Sequence, residues 1–337
     1  MTGRAIVAPR LLAGLRPVKV ATKPFETLRE PISMAVNYIM PQVAIVMPVR
    51  NSERFLVEAV DSLRAQTVQD FELIAVDGGS TDRTLDILTS YKDPRIRIFE
   101  LALKPMQITP ARNFGIDRAE SPWIAVQDSD DISLPRRLEK QLAALNRMSG
   151  SVLAYTDVNF IGDIAAAGGR ARFPRTQAFL ATRLCFEFPI VHSTLMFSKP
   201  AALAVGGYSK TSAEDFELAG RLVEQGRTAA VSEKLVNFRL HATSSTHQLI
   251  SEMKLIKVEI AIDNCRRLLQ LSDSEAHRAY AALMNRGQAG QIREWAWFLQ
   301  HCVPRLKWKS PELYAWLGWQ TVKLFRPGKA GEPKTTA

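Results

Sequence analysis

The sequence predicts an α/β fold: a mainly parallel sheet flanked by helices, followed by a helical C-terminal extension. Three observations predict it. Short apolar runs alternate with helix-patterned segments between residues 43 and 148, the order that gives parallel strands joined by helical crossovers. The segments joining them are short. Polar clusters also recur where the runs end, at 48–53, 77–82 and 128–131, and parallel sheets hold ligands at the carboxyl ends of their strands.

The elements follow in order. Val43, Ala44, Ile45, Val46 and Met47 form an apolar run suited to a strand buried on both faces, and it stops at Pro48. Ser52 is placed to cap a helix whose Phe55, Leu56, Ala59, Val60 and Leu63 share one face. Residues 73–76 give a second strand, and Ser80 or Thr81 caps a helix reaching Tyr91. Residues 95–101 give a third strand, after which Thr109 and Pro110 open a helix with proline in its first turn. Residues 123–127 form a fourth strand that runs into Asp128-Ser129-Asp130-Asp131, and a helix covers 135–148. Beyond Ser151 the pattern weakens: strands are expected at 153–161, 193–198 and 235–241, a loop at 162–175 and a helix at 214–225. After Thr246 the chain reads as helical, with Leu255, Val258, Ile262, Cys265 and Leu269 at packing intervals. The domains are therefore read as a flexible arm over 1–41, an α/β domain over 42–245 and a helical extension over 246–337. The arm has prolines at 9, 17, 24 and 31 and lacks the apolar core of a secretory signal; a misassigned start also fits it.

Composition narrows the function. With 46% hydrophobic and 23% charged residues the chain resembles an ordinary soluble globular protein. Its formal charge of +10 sits in the ends, +4 in residues 1–41 and +5 in 299–337, which leaves about +1 for the body. A body without a basic stripe argues against a nucleic-acid partner. Three widely spaced cysteines argue against a disulfide framework or zinc cluster and for a reducing, cytoplasmic compartment. No apolar run reaches the roughly 20 residues that span a bilayer.

The acidic run carries the chemistry. Asp128, Asp130 and Asp131 repel one another unless a cation or hydrogen-bond donors relieve them. A divalent ion such as Mn²⁺ or Mg²⁺, held by one or two carboxylates plus phosphate oxygens, does this. The plainer reading is a solvated turn with a helix cap, and the position after a buried strand brings the ion level with it. Neither a Gly-x-Gly-x-x-Gly loop nor a Gly-x-x-x-x-Gly-Lys-Ser/Thr loop is present. Gly78-Gly79 serves a tight turn or a close approach of backbone to a nucleotide. Glu214 and Asp215 open a helix, where acids are favoured in any case.

Together these segments resemble the family 2 glycosyltransferases of the GT-A fold. The resemblance rests on VAIVMPVRNSERFL from Val43, VDGGSTDRT from Val76, ARNFGIDRA from Ala111 and WIAVQDSDD from Trp123. It continues through Gly206-Gly207-Tyr208, AEDFEL from Ala213 with Arg221, and Phe238-Arg239-Leu240-His241, covering residues 42–245. It implies that Pro48, Asn51, Glu53 and Asp77 border the base and ribose of a nucleotide, that Arg112 and Asn113 contact it, and that Asp128 lies at both nucleotide and metal. It also implies Asp128, Asp130, Asp131 and His241 as metal-site residues, Asp215 as catalytic base and Glu214 as its support, with His192 on the acceptor or phosphate side.

The implied reaction is transfer of a sugar, with inversion, from a nucleotide-diphosphate sugar to an acceptor hydroxyl in bacterial surface polysaccharide or glycolipid synthesis. A UDP-sugar is the expected donor, although Gly78 stands where many members place a second, uracil-reading acid. The acceptor is a saccharide or lipid-linked saccharide. A rival nucleotidyltransferase would need a glycine-rich loop after the first strand, where Pro48-Val49-Arg50-Asn51 stands. A degenerate sugar-binding scaffold would need no base at Asp215. Five of six tryptophans lie after Glu294, interleaved with Arg305, Lys307, Lys309, Lys323 and Arg326. This suits either packing on the α/β domain or peripheral contact with the inner face of the cytoplasmic membrane.

Overall fold

The structure, a computed structural model, describes residues 40–101, 108–162, 173–241, 250–285 and 291–324. The arm expected over 1–41, apart from Met40 and Pro41, and most of the 162–175 loop lie outside these residues.

Strand β1 (Val43–Val49) pairs in parallel with β2 (Phe71–Asp77) and β4 (Trp123–Val126), and β2 pairs in parallel with β3 (Ile96–Glu100). Alternate side chains of a strand point to opposite faces, so β1 feeds two cores. Val43, Ile45, Met47 and Val49 meet Leu56, Val60 and Leu63 of α1 (Leu56–Arg64), Leu88 of α2 (Thr84–Ser90), and Leu138, Leu142 and Leu145 of α4 (Arg137–Asn146). Ala44 and Val46 face Ala111 and Ile116 of α3 (Ile108–Arg118). Each buried aliphatic side chain contributes about 1.5–3 kcal/mol. The α3 backbone lies so close to β1 that a Cβ on Gly115 would stand 2.4 Å from Val46 Cγ1.

The second half of the sheet departs from the simple alternation. Its order is β3-β2-β1-β4-β7-β6-β8-β5. Here β7 (Met196–Ser198) is antiparallel to β4 and β6 (Ser151–Ile161), β6 is parallel to β8 (Arg227–Arg239), and β5 (Ile132–Ser133) is antiparallel to β8. The strand expected at 193–198 opens instead with a 3₁₀ turn, His192–Thr194. The strand expected at 235–241 begins at Arg227, because Ala229 and Val231 continue the buried face. Helices α5 (Gln177–Leu184) and α6 (Lys199–Ala204) are additions, whereas α7 (Glu214–Gln225) has the bounds the sequence predicts.

Two expected caps are corrected. Ser52 does not cap α1, which starts at Leu56; its hydroxyl bonds Ser129 Oγ at 2.8 Å. Neither Ser80 nor Thr81 caps α2; the Ser80 hydroxyl donates to Asp77, and Asp82 Oδ1 accepts from Thr84 N at 3.0 Å.

The C-terminal region is helical: α8 (Ile250–Leu268), α9 (Asp273–Met284) opened by a Ser272/Glu275 capping box, α10 (Ile292–Trp297), a π-helical turn (Phe298–Cys302) and α11 (Pro311–Leu324). Its Ala261, Leu268, Trp295, Phe298, Leu313 and Leu317 join one continuous core with Phe179, Leu184, Leu218 and Leu222. Asn264 Nδ2 donates to Leu184 O at 2.9 Å, and a Cβ on Gly220 would stand 2.2 Å from Asn264 Oδ1. Cys185, Cys265 and Cys302, far apart in sequence, are all buried in this core, and Cys265 Sγ lies 3.3 Å from Cys185 O. Among the described residues no helix is long and apolar enough to cross a membrane.

Candidate active site

Strand order reverses between β1 and β4: the chain moves from β1 outward to β2 and β3, then returns to place β4 on the other side. In open α/β sheets this switch point is where ligands bind, beyond the carboxyl ends of the strands. Pairing of β1 with β4 ends at Val46 and Val126, whereas pairing with β2 continues through Pro48 to Val49. The crevice therefore opens beside Pro48, between the loop after β1 and the acidic loop after β4. A cavity of about 300 Å³ lined by Met40, Pro122, Trp123 and Asn146 lies at the amino ends of the same strands and takes no part.

One wall of the crevice is laced to itself. Asn51, at a φ of 49°, accepts from Thr81 N at 2.8 Å, and Glu53 Oε2 accepts from Arg83 N at 3.0 Å. Asp77, 1% exposed, accepts from Gly79 N and Ser80 N at 3.0 Å each. Arg50 donates to Gly78 O at 2.6 Å. These carboxylates and amides shape the loops that border the crevice.

The acidic loop is shaped from beneath. Gln127 Nε2 donates to Asp128 O at 3.0 Å and Asp131 O at 2.8 Å, while its Oε1 accepts from Ser133 Oγ and from Arg137 Nη1. Arg137 is fully buried and also donates to Gln141 Oε1, Ser133 Oγ, Val126 O and Leu195 O. No carboxylate oxygen lies within 4.0 Å of it among the described residues. Burial pulls its pKa down to about 10, against the opposing charges of Asp131 and Asp128. The sequence reading missed this residue; its only signal is Arg137 and Gln141 at i, i+4 beside the apolar Leu138, Leu142 and Leu145.

The three carboxylates occupy different environments. Burial opposes the charge of Asp128, but His192 and Arg112 outweigh it and hold the carboxyl below the ordinary range. Burial, then the charge of Asp128, raises Asp130, whose Oδ2 lies 2.9 Å from His241 Nε2. Burial, then its two neighbours, raises Asp131 well above the ordinary range. Asp131 Oδ1 accepts from Arg239 N at 2.8 Å, and its buried Oδ2 has no hydrogen-bond partner among the described residues. Arg239 also donates to Asp130 O and to Glu58, and stacks over Phe55, whose ring is 5.0 Å from that of His241.

Across the crevice, Arg112 is 7% exposed and donates to Asp128 Oδ1 at 3.3 Å and to Glu214 Oε1. Burial raises Glu214, with Arg112 opposing and Asp215 reinforcing the shift. Asp215, half-buried at the start of α7, accepts from Phe216 N at 2.7 Å. Asn113 clamps Tyr208 by both backbone groups at 2.8 Å, and Tyr208 in turn meets His192 Nε2 at 2.8 Å. Gly207, at a φ of 68°, lies where a Cβ would stand 2.6 Å from Asn113 Oδ1.

The structure thus brings Asp128, Asp130, Asp131, His241, Arg112, Glu214 and Asp215 to one crevice, with Pro48, Asn51, Glu53 and Asp77 along its other wall and Asn113 behind Tyr208. No three His, Cys, Asp or Glu side chains form a ready metal cage among the described residues. The donor set still fits a divalent ion: crowded carboxylates include an orphaned oxygen, and such ions complete their shell with phosphate oxygens and water.

Residues 44–197 match the sequence profile of Glycosyl transferase family 2. The O-antigen biosynthesis glycosyltransferase WbnJ of Escherichia coli is 30% identical over 217 residues, 61% of this chain and 83% of the relative. The fold is similar to that of S. aureus TarS 1–349, solved in complex with UDP: TM-score 0.56, 16% identity, covering 84% of this chain and 88% of that one. It is also similar to mannosyltransferase PcManGT from Pyrobaculum calidifontis, solved with GDP-Man and Mn²⁺: TM-score 0.50, 16% identity, covering 90% and 88%. The sheet, its switch-point crevice and these likenesses define a glycosyltransferase of the GT-A fold. The chain belongs to glycosyltransferase family 2.

Proposed function

We propose that the chain transfers a sugar from a nucleotide-diphosphate sugar, UDP-linked, to an acceptor hydroxyl with inversion at the anomeric carbon. The observation that carries this is that the buried guanidinium of Arg112 bonds both Asp128, read as a donor-side acid, and Glu214, the neighbour of Asp215. This supports a donor site and a base that share one crevice. Asp215 takes the acceptor's proton as that oxygen bonds to the anomeric carbon. The bond from that carbon to the diphosphate oxygen breaks at the same time, and the electron pair leaves with the nucleoside diphosphate. Glu214 and Arg112 orient the base and keep the crevice's charges apart. Asp128 and Asp130, with Asp131 and His241 beside them, would hold Mn²⁺ or Mg²⁺, which supplies charge stabilisation to the departing diphosphate. Pro48, Asn51, Glu53 and Asp77 border the base and ribose through the loops they brace, and Arg112 and Asn113 act on the nucleotide from behind.

The presence of O-antigen synthesis in the relative's name supports surface polysaccharide or glycolipid as product. The acceptor is then a saccharide or lipid-linked saccharide met at the inner face of the cytoplasmic membrane. The test is a thermal-shift series of UDP, GDP, dTDP and their sugars with and without Mn²⁺ or Mg²⁺, followed by NMR of the product's anomeric configuration. A larger shift for UDP compounds with metal, and an inverted product, are expected. No metal-dependent shift with any nucleotide would overturn the reading.

A further inference from the structure

Helix α11 presents apolar side chains on both sides. Leu313 and Leu317 turn into the core with Gln320, none more than 4% exposed. Trp316 stacks on Phe186 at a centroid distance of 5.9 Å, and Trp295 Nε1 donates to Thr321 Oγ1 at 2.9 Å. These contacts fix the roll of the helix. The opposite side consists of Pro311, Tyr314, Ala315, Gly318, Trp319 and Val322, all exposed. Tyr314, Trp319 and Val322 are 48%, 50% and 52% exposed. At about 100° per residue these six positions span an arc of about 140°, and none is charged. A surface helix ordinarily turns its charged side chains to that face, and isolated apolar residues rather than a continuous stripe are the norm there.

The tryptophan cluster seen in the sequence therefore divides. Trp295 is 2% exposed, Trp316 packs inward, and Trp297 stacks on His301 under Arg278. Trp319 faces outward with Tyr314. Charge is distributed to match a negative partner. Glu312, the one acid in α11, is drawn back to accept from Arg175 N and Thr176 Oγ1. Lys307 and Lys309 stand exposed on the segment leading into the helix, whereas Arg305 pairs with Glu275 at 3.0 Å.

We propose that this face of α11 lies on an anionic phospholipid surface, with Tyr314, Trp319 and Val322 at the headgroup–acyl boundary and Lys307 and Lys309 against headgroup phosphates. Aromatic rings favour that boundary, and a basic rim adds attraction to anionic lipid. The inference gives a lipid-linked acceptor reading its place of contact, and it is measured without donor or acceptor, so the two fail separately.

The test is flotation of the full chain with phosphatidylcholine vesicles with and without phosphatidylglycerol. Binding is expected only with phosphatidylglycerol, weakened by salt, and reduced roughly tenfold by Tyr314→Ser/Trp319→Ser. Lys307→Glu/Lys309→Glu, which leaves the helix intact, should abolish the preference for anionic vesicles. Both variants should keep the wild-type melting temperature and nucleotide response. Absence of flotation by the wild type, or equal flotation by the Lys307→Glu/Lys309→Glu variant, overturns the proposal. So does a concentration-dependent dimer that Tyr314→Ser/Trp319→Ser dissolves, which would assign the face to a second copy.

Discussion

Arg112 reaches Asp128 at 3.3 Å with one nitrogen and Glu214 with the other. One fixed charge thus stands between an acid after β4 and an acid opening α7. Removing it leaves buried carboxylates facing each other, and breaking a buried pair costs about 3–5 kcal/mol. Arg112→Met is expected to melt far below the wild type. Arg112→Lys keeps the charge but loses the fork, so it should fold and lose roughly a hundredfold in kcat. Steady-state kinetics beside nucleotide titration checks this; a wild-type kcat for Arg112→Lys would remove Arg112 from the mechanism.

Asp215→Asn keeps shape and removes the proposed proton acceptor. Transfer should fall by about 10²–10⁴, with donor affinity and melting temperature unchanged. Equal loss of nucleotide binding would assign Asp215 to the donor site instead.

Arg137 places a buried positive charge beneath the acidic loop without a direct carboxylate partner among the described residues. Arg137→Met should destabilise the protein by about 2–4 kcal/mol. The loss should shrink when Mn²⁺ and UDP are present, because the ion then supplies the missing positive charge. Urea unfolding with and without both ligands measures it, and identical losses would mean the arginine serves packing alone.

At the far end of the sheet, hydrogen bonds from the Arg95 side chain hold the Asp93 carboxyl below the ordinary carboxylate range, against partial burial. A depressed folded-state pKa contributes stability above the unfolded value, and that contribution is lost as pH falls through the folded one. Asp93→Asn should therefore lower stability at neutral pH by about 1 kcal/mol and flatten the acid limb of the melting-temperature profile. A profile parallel to the wild type would contradict this.

Gly115→Ala should cost about 1–3 kcal/mol. The new methyl meets Val46 Cγ1, and the short valine side chain cannot swing away. Gly115→Ala with Val46→Ala should recover part of the loss in a double-mutant cycle.

The first half of the sheet was legible because β1, β2 and β4 centre on local apolar runs and β3 alternates apolar and charged residues. So was α7, whose amphipathic period and N-terminal acids agree. The reversal at β7 and the early start of β8 were not, since only partner strands decide them: Arg227 to Val231 carries no marker of its own. Among the candidates, Asp128, Asp130, His241 and Asp215 could be picked out by type and order, and the structure brings them to one crevice. The work of Asn113 could not, because its partner Tyr208 lies 95 residues on in the chain. Ser52 illustrates the same limit: a residue suited to capping a helix instead bridges to Ser129 across the crevice.

The meeting of Cys185, Cys265 and Cys302 gives the seam between the sheet and the C-terminal helices a chemical clock. Burial pushes the Cys302 thiol up to about 12 and Cys265 well above its ordinary value, so a thiol reagent finds nothing to attack while the seam is closed. The rate at which Cys302 becomes labelled then times the opening of that seam, independently of whether any sugar is transferred.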